Sequence, residues 1–257
     1  MNSVPRGTEE TPEHLPGGTG GVWKVGRTVH RPTGAWTPAV HRLLRWLADQ
    51  GLGGIPHVHG LDDDGREVLS YIEGRGVPVD DEVVLDSVLV EAVQWLREFH
   101  DVVEDFRPTE PLTWRSGTAE LEPGQIICHA DPGAYNWIIQ SGHFVGMIDW
   151  DLAGPGRAID DLAFLCWTAV PLYRATDPVD AARRLDLVAD TYGEWGPVTV
   201  LNAVVDRMTT ATERIAAGIE RGDPGMVALA SRGEPQRTRD RVADFRTRIP
   251  AIEEALA

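Results

Sequence analysis

The sequence predicts an α+β fold with two unequal parts, a small β-rich N-terminal lobe and a large helical C-terminal lobe. Three observations support this prediction. Short runs of strand-forming residues, separated by glycine-containing turns, fill residues 15–74. From about residue 81, apolar residues recur at helical spacing. The chain has 257 residues, of which 42% are hydrophobic, and this is enough for two lobes to bury a sizeable core.

Residues 1–14 are polar and acidic, and we expect them to form a flexible N-terminal tail. They lack the apolar stretch of a signal peptide, and the chain has no run of about 18 apolar residues that could span a membrane. Cys128 and Cys166 lie in apolar surroundings and form no CxxC pair. This pattern favours buried thiols and a cytoplasmic protein.

The predicted N-lobe, residues 15–74, begins with the glycine-rich segment Gly17–Gly21. Strand-like runs at residues 22–25 and 28–31 follow, joined by a short turn. Thr37 and Pro38 suit the start of a helix, which places Val40, Leu43, Leu44 and Leu47 on one face and stops near Gly51.

Residues 55–61 and 67–72 predict an antiparallel strand pair that completes the N-lobe. The predicted C-lobe, residues 75–257, opens with a helix whose apolar stripe runs from Leu85 to Phe99. A short strand at residues 126–128 and a hairpin of residues 137–139 and 144–148 come next. Four further helices are predicted, at about 159–173, 178–194, 198–221 and 237–256.

The polar residues that carry chemistry lie around this short strand and hairpin. His129, Asp131 and Asn136 follow the strand, and Asp149 and Asp151 follow the hairpin. Phosphoryl transfer requires a carboxylate that accepts the proton of the attacking hydroxyl. It also requires oxygen ligands for magnesium, which takes only one or two carboxylates from a protein. The hairpin would bring Asp149 back beside Asn136, so that a base and two metal ligands converge through local folding.

In order and spacing, these residues resemble the motifs of the aminoglycoside phosphotransferase and choline kinase-like family, itself similar to protein kinases. The matching segments are His129-x-Asp131-x-x-x-x-Asn136, Ile148-Asp149-Trp150-Asp151, and Gly156 followed by Asp161-Leu162-Ala163. The resemblance is close over residues 126–165. It implies a bilobal protein kinase-like fold with a shortened N-lobe, and a small-molecule kinase that uses ATP or GTP with Mg²⁺.

The resemblance also implies roles for the individual residues. Asp131 would be the catalytic base, and Asn136 and Asp149 would bind magnesium. His129 and Asp161 would support the catalytic loop. Two more carboxylates, those of Asp151 and Asp160, would lie at or near the acceptor site.

On the nucleotide side, Gly18-Thr19-Gly20 would cover the phosphates and Val22 the adenine. Arg31 stands where the family has a phosphate-binding lysine, and Lys24, the only lysine, shares a strand face with Val22. Either could reach a phosphate. Ser70-Tyr71-Ile72 would pair with the adenine edge. A bare glycine turn and solvated strand side chains are the alternatives.

One departure from the family concerns the helix glutamate that usually pairs with the strand lysine. No glutamate occurs between Glu13 and Glu67, and the predicted helix offers His41 instead. The ion pair is therefore either absent or rebuilt from other residues.

The net charge of −16 excludes a nucleic-acid-binding protein. Residues 1–74 carry a net charge of −2 and residues 75–257 one of −14. This acidity favours a cationic acceptor such as an aminoglycoside, whose phosphorylation would confer antibiotic resistance. Solubility alone is the other explanation, and an amino alcohol, a sugar or a nucleoside antibiotic remain alternative acceptors. A monomer and a homodimer are both compatible with the sequence.

A second hypothesis is a non-catalytic kinase-like protein that gives immunity by binding a small molecule or a partner. The missing helix glutamate favours it, and the intact Asp131, Asn136 and Asp149 set favours an enzyme. A metal-dependent hydrolase is disfavoured because these segments carry no further histidine at ligand spacing.

Overall fold

The computed structural model describes residues 11–15 and 21–257. The predicted phosphate-covering residues Gly18, Thr19 and Gly20 therefore lie outside the described residues. Within the described part of the chain, no helix is long and apolar enough to cross a membrane.

The N-terminal part is an antiparallel sheet, as the sequence predicts. Its five strands are β1 (Glu13–His14), β2 (Trp23–Val25), β3 (Thr28–Arg31), β4 (Val58–Leu61) and β5 (Glu67–Ser70). Their order across the sheet is β1-β2-β3-β5-β4. The register between β3 and β5 places Arg31 directly opposite Glu67. Cross-strand neighbours share a face of the sheet, so these two side chains can pair.

The prediction of a flexible tail through residue 14 is wrong for Glu13 and His14. These residues form β1, in which Glu13 lies opposite Lys24 and His14 opposite Trp23. The rings of His14 and Trp23 meet edge to face with centroids 5.0 Å apart. A strand of two residues is too short to produce an alternating pattern, so periodicity does not indicate it.

Helix α1 (Thr37–Asp49) carries Pro38 in its first turn, where the missing amide hydrogen costs nothing. Trp36 occupies the N-cap position, one residue before the predicted cap Thr37. The predicted apolar face is buried, since Val40, Leu43, Leu44 and Leu47 are at most 3% exposed. The helix thus packs into the core beside the sheet.

The C-terminal part is mainly helical and confirms the predicted fold class. Its elements are α2 (Asp86–Val103), β6 (Leu112–Trp114), β7 (Gly117–Ala119), β8 (Ile126–Cys128), β9 (Trp137–Gln140), β10 (His143–Met147), β11 (Gly154–Gly156), α3 (Ala158–Ala169), α4 (Pro178–Tyr192), α5 (Pro197–Glu220), α6 (Pro224–Ala230) and α7 (Gln236–Leu256). The predicted helices and hairpin are present to within a few residues. The β6–β7 hairpin, β11 and α6 are elements that the sequence analysis did not identify.

Two strand pairs bring the motif segments together. Strands β9 and β10 form the predicted hairpin, and beyond its open end the Ile148 amide donates to the Asn136 carbonyl at 2.9 Å. Strand β11 pairs with β8, with Gly154 opposite Cys128. A β-carbon at Gly156 would lie only 3.0 Å from the Cys128 sulfur, so glycine permits this close approach. The loops after β8 and β10 therefore lie side by side.

Candidate active site

The buried carboxylate of Asp161 anchors the loop of residues 129–136. Asp161, on α3 and fully buried, accepts the amide hydrogens of His129 at 2.7 Å and of Ala130 at 2.8 Å. Burial alone would raise the pKa of Asp161, but the hydrogen bond and charge of His100 and the backbone donors hold it below its ordinary value. The carboxylate is thus charged and fixes the path of the loop.

The imidazole of His129 is fully buried and belongs to the loop's support. Its Nε2 lies 3.2 Å from the Ile148 carbonyl, and its Nδ1 lies 3.3 Å from the Asp131 amide. Burial lowers the pKa of His129, so the ring is neutral. A neutral ring can donate from Nε2 to Ile148 and accept at Nδ1 from Asp131, which satisfies both contacts.

The carboxylate of Asp131 points to the loop's own side chains. Tyr135 donates its hydroxyl hydrogen to Oδ1, and the Asn136 amide nitrogen donates to Oδ2 at 3.1 Å. Burial raises the pKa of Asp131 to about 7, although the hydrogen bond from Tyr135 opposes the rise. A carboxylate whose pKa lies near neutrality is well suited to accept a proton at physiological pH.

Asn136 and Asp149 offer oxygen atoms beside this carboxylate. The Asn136 amide nitrogen is used by Asp131, which leaves the amide oxygen for another partner. Asp149 has a left-handed backbone with φ of 65°, an unfavourable conformation for aspartate that is often found at functional sites. Its side chain is 48% exposed.

These donors fit a magnesium ion. Among the described residues, no group of three or more His, Cys, Asp or Glu side chains is placed to hold a metal. Mg²⁺ is commonly bound by only one or two carboxylates together with substrate phosphates. Asn136 and Asp149 would supply hard oxygen ligands of that kind, and the side chain of Asp149 is about half exposed.

Arg31, at the end of β3, lies among three carboxylates. Its Nη2 lies 2.6 Å from Asp151 Oδ1 and 3.2 Å from Asp149 Oδ1, and its Nε lies 3.0 Å from Glu67 Oε1. Burial alone would lower the pKa of Arg31, but the charges of Asp151, Asp149 and Glu67 raise it above its ordinary value. The guanidinium therefore stays charged and links the sheet to the residues proposed to bind metal.

Glu67, on β5, replaces the glutamate that the helix lacks. It is 3% exposed, and its Oε2 lies 2.8 Å from His41 Nε2 on α1. Strand and helix are thus joined through Arg31, Glu67 and His41, so the ion pair is rebuilt with a carboxylate from the sheet. Sequence reasoning missed Glu67 because β3 and β5 are not consecutive strands, although their register explains the pairing.

Lys24 lies elsewhere on the sheet. Its Nζ is 3.9 Å from Glu73 Oε1 and 3.8 Å from the centroid of the Tyr71 ring. Of the two predicted phosphate-binding cations, the structure thus brings only Arg31 to Asp149.

The residues predicted to bind the adenine lie in different surroundings. The backbone amide of Ser70 donates to the His57 carbonyl at 2.8 Å, so it is committed to the sheet. Ile72 lies beyond the end of β5, and its side chain lies near Gly146. Val22 precedes β2 and is half-buried.

Both carboxylates predicted at the acceptor site are already paired with arginines. Asp151 contacts Arg31 at 2.6 Å and Arg115 at 3.4 Å. Asp160 contacts Arg157 at 2.7 Å. The structure therefore places neither of them where it could offer an unpaired negative charge to a cationic acceptor.

Sequence reasoning also missed two groups that touch the catalytic loop. Tyr135 lies inside the motif but at a variable position, so nothing marked its contact with Asp131. Arg207, on α5, donates from Nη2 to the Ala130 carbonyl at 2.5 Å. Its repetition at every seventh position, as Arg207, Arg214 and Arg221, was the available signal.

Comparison with known proteins identifies a family match and relatives of the chain. Residues 118–199 match the model of the phosphotransferase enzyme family. The trifolitoxin immunity protein of Rhizobium leguminosarum bv. trifolii is 39% identical over 164 residues, which are 61% of this chain and 61% of that protein. The match thus spans less than two thirds of that relative's length.

Solved structures share the fold at low sequence identity. An amicoumacin kinase in complex with AMP-PNP, Ca²⁺ and its ligand has a TM-score of 0.63 and 13% identity, covering 93% of this chain and 87% of that one. A choline/ethanolamine kinase family protein from Mesorhizobium loti has a TM-score of 0.58 and 17% identity, covering 96% and 91%. The gentamicin complex of an aminoglycoside phosphotransferase has a TM-score of 0.57 and 14% identity, covering 90% and 93%.

The family match covers the segment that carries Asp131, Asn136, Asp149 and Asp161, and the structural likeness extends over most of the chain. Residues 118–199 are therefore similar to the phosphotransferase enzyme family, within a chain that shares the fold of the aminoglycoside phosphotransferases and choline kinase-like proteins.

Proposed function

We propose that this protein is a small-molecule kinase that transfers the γ-phosphoryl group of ATP or GTP to a hydroxyl group, with magnesium. The observation that carries the proposal is the convergence of Asp131, Asn136 and Asp149. Asn136 donates to the Asp131 carboxylate at 3.1 Å, and the Ile148 amide holds the Asn136 carbonyl at 2.9 Å. The proposed base and the two proposed oxygen ligands thus lie in adjoining loops.

In the proposed reaction, the acceptor's hydroxyl oxygen attacks the γ-phosphorus while Asp131 accepts the hydroxyl proton. The bond from the γ-phosphorus to the bridging oxygen breaks, and the nucleoside diphosphate leaves. Asn136 and Asp149 would hold magnesium, which neutralises phosphate charge when bound. Arg31 is placed to contact a phosphate near Asp149. The structurally similar amicoumacin kinase was solved with AMP-PNP, which supports the proposal that a nucleotide binds at this site.

The acceptor is proposed to be a hydroxylated small molecule. The net charge of −14 over residues 75–257 favours a cationic, aminoglycoside-like compound and hence a resistance reaction. The pairing of Asp151 and Asp160 with arginines argues against that acceptor. A cytoplasmic location goes with the proposal because the reaction draws on cellular ATP.

A second candidate is a non-catalytic immunity protein that binds a small molecule or a partner. The curated relative is named an immunity protein, which favours this candidate. In the structure, moreover, Arg31 forms an ion pair with Asp149, and Tyr135 donates a hydrogen bond to Asp131.

Binding of MgATP distinguishes the two candidates. We expect MgATP to raise the melting temperature of the wild-type protein, and we expect this shift to be lost in Asp149→Ala and Asn136→Ala. Asp186→Ala, which removes an exposed aspartate on α4, is the matched control and should retain the shift.

Turnover is then measured as ADP release with a panel of aminoglycosides, nucleoside antibiotics, amino sugars, choline-like alcohols and hydroxy acids. Asp131→Ala should lower the rate on the order of a hundredfold or more while MgATP binding persists. MgATP binding without turnover on any acceptor would favour the immunity protein. The absence of both would contradict the kinase.

A further inference from the structure

Helix α5 and its C-cap residue carry a row of arginines, the first of which contacts the loop of residues 129–136. Arg207, Arg214 and Arg221 recur at every seventh position, which is about two helical turns, and so lie on one face. Arg207 reaches the loop itself, since its Nη2 donates to the Ala130 carbonyl, next to Asp131. The row thus leads from the proposed base along α5.

In the described part of the chain, the arginines of this row form no close ion pair with a carboxylate. Within residues 11–15 and 21–257, none of the three arginines forms an ion pair within 4.0 Å. Arg207 is only 6% exposed, and its Nη1 is buried without a hydrogen-bond partner. The charge of Arg207 opposes the rise in the pKa of Asp131, and its guanidinium lies 4.6 Å from the centroid of the Phe164 ring. Arg207 thus already interacts with the loop and with α3, whereas Arg214 and Arg221 are the members of the row that line a cleft.

Arg214 lies two helical turns from Arg207, and the charges of both Arg207 and the proposed base act on it. It is half-buried, and burial followed by the neighbouring charge of Arg207 lowers its pKa, while the charge of Asp131 opposes this effect. Arg214 and Arg221 line a small cleft together with Arg115, Ser116 and Asp223. Arg214 thus connects the cleft with the proposed base, whose charge acts on it.

The carboxylates around the cleft are already neutralised. Asp223 contacts Arg115 at 2.7 Å, and Asp151 contacts Arg31 and Arg115. Because Arg115 is used by these two aspartates, Arg214 and Arg221 remain to bind a ligand. The local charge at the cleft is positive although the chain as a whole is strongly acidic.

We propose that this cleft binds a carboxylate or phosphate group of the acceptor, so that the substrate is a hydroxylated small anion. Guanidinium groups bind both oxyanions through paired hydrogen bonds. The proposal rests on the proposed kinase function, because the anionic group positions the hydroxyl near Asp131. It replaces the cationic acceptor that the overall charge suggests.

The test measures binding of three small hydroxylated probes to the full chain by calorimetry. The probes are glycerol 3-phosphate, glycerate and choline, which represent a phosphate, a carboxylate and a cation. We expect at least one of the two anions to bind the wild-type protein and choline to bind more weakly. Arg214→Gln and Arg221→Gln should each weaken anion binding about tenfold.

Arg246→Gln, which removes an exposed arginine on α7, is the control and should bind the anion like the wild type. Because Arg221 is exposed, its replacement keeps the test valid even if Arg214→Gln is poorly folded. The proposal is overturned if neither anion binds, if choline binds more tightly, or if both cleft variants bind like the wild type.

A parallel thermal shift with MgATP separates this result from the kinase proposal. A retained MgATP shift in a protein that fails to bind either anion would contradict the anionic acceptor alone. Anion binding that depends on Arg214 and Arg221, in a protein without a MgATP shift, would support the anion site and contradict the kinase.

Discussion

The hydroxyl group of Tyr135 donates a hydrogen bond to the carboxylate of Asp131. This is the contact that the hydroxyl of an acceptor would make with a catalytic base. In the proposed reaction, Tyr135 would therefore occupy the proposed base until an acceptor binds, and it would keep water from the same place.

We predict that Tyr135→Phe increases ATP hydrolysis in the absence of an acceptor by several-fold, because water gains access to Asp131. ADP release without acceptor measures the effect. Tyr173→Phe, which removes a hydroxyl bound to the Val79 carbonyl at 2.6 Å, is the matched control. Equal ADP release from Tyr135→Phe and the wild type would show that the hydroxyl does not shield the base.

Asp131→Asn should stabilise the protein at pH 8. The pKa of this carboxyl is about 7 in the fold and about 3.9 in an unfolded chain. Between pH 4 and 7 the folded state thus binds more protons, so the charged carboxylate lowers the free energy of unfolding as pH rises through this range. After discounting for partial exposure, we expect Asp131→Asn to gain about 1–2 kcal/mol at pH 8.

The gain should nearly vanish at pH 4, where the wild-type carboxyl is protonated in the fold. Urea unfolding of both proteins at pH 4 and pH 8 provides the comparison. A difference of the same size at both pH values would show that the charge of Asp131 is not the cause.

Asp161→Asn should have the opposite effect. This buried carboxylate accepts two backbone hydrogen bonds from the catalytic loop, and removing its charge should cost about 3 kcal/mol at pH 7. Because its pKa is lowered in the fold, its stabilisation is present at neutral pH and is lost as pH falls below about 4. Denaturant unfolding at pH 7 and pH 3.5 measures the free energy of unfolding of Asp161→Asn and of the wild type. The difference between the two proteins should be smaller at pH 3.5.

Asp190→Asn, at an exposed position on α4, serves as the control for this charge change and should leave stability within about 0.5 kcal/mol of the wild type. An Asp161→Asn protein as stable as this control would mean that the buried carboxylate does not hold the loop.

Arg31→Lys should weaken MgATP binding about tenfold. A lysine ammonium is a single point charge and cannot span Glu67, Asp149 and Asp151 as the guanidinium does. Titration of MgATP by calorimetry measures the change. Arg42→Lys alters an arginine that pairs with the exposed Glu110, and it should bind MgATP normally. Equal affinity of the two variants for MgATP would show that Arg31 does not contribute to nucleotide binding.

The sequence was sufficient to predict the fold class, the buried face of α1 and the segment that carries Asp131, Asn136 and Asp149. These features depend on periodicity and on residues close together in the chain. The β9–β10 hairpin brings Asn136 and Asp149 together by local folding, so their proximity could be inferred from spacing.

Contacts between distant segments could not be inferred in this way. Glu67 meets Arg31 through the pairing of two non-consecutive strands, and Arg207 meets Ala130 across 77 residues. The overall charge was also a poor guide to the acceptor. It counts Asp151 and Asp160 as negative charges, whereas in the fold each is balanced by an arginine.

The contact between Arg31 and Asp149 has a consequence for the order of binding. Asp149 already has a cation beside it, so a bare divalent ion must compete with Arg31 for the carboxylate. In the proposed kinase, a nucleotide that arrives with its metal would offer Arg31 a phosphate in exchange for Asp149. Such a site would load the metal and the nucleotide as one unit and would discriminate against free metal ions.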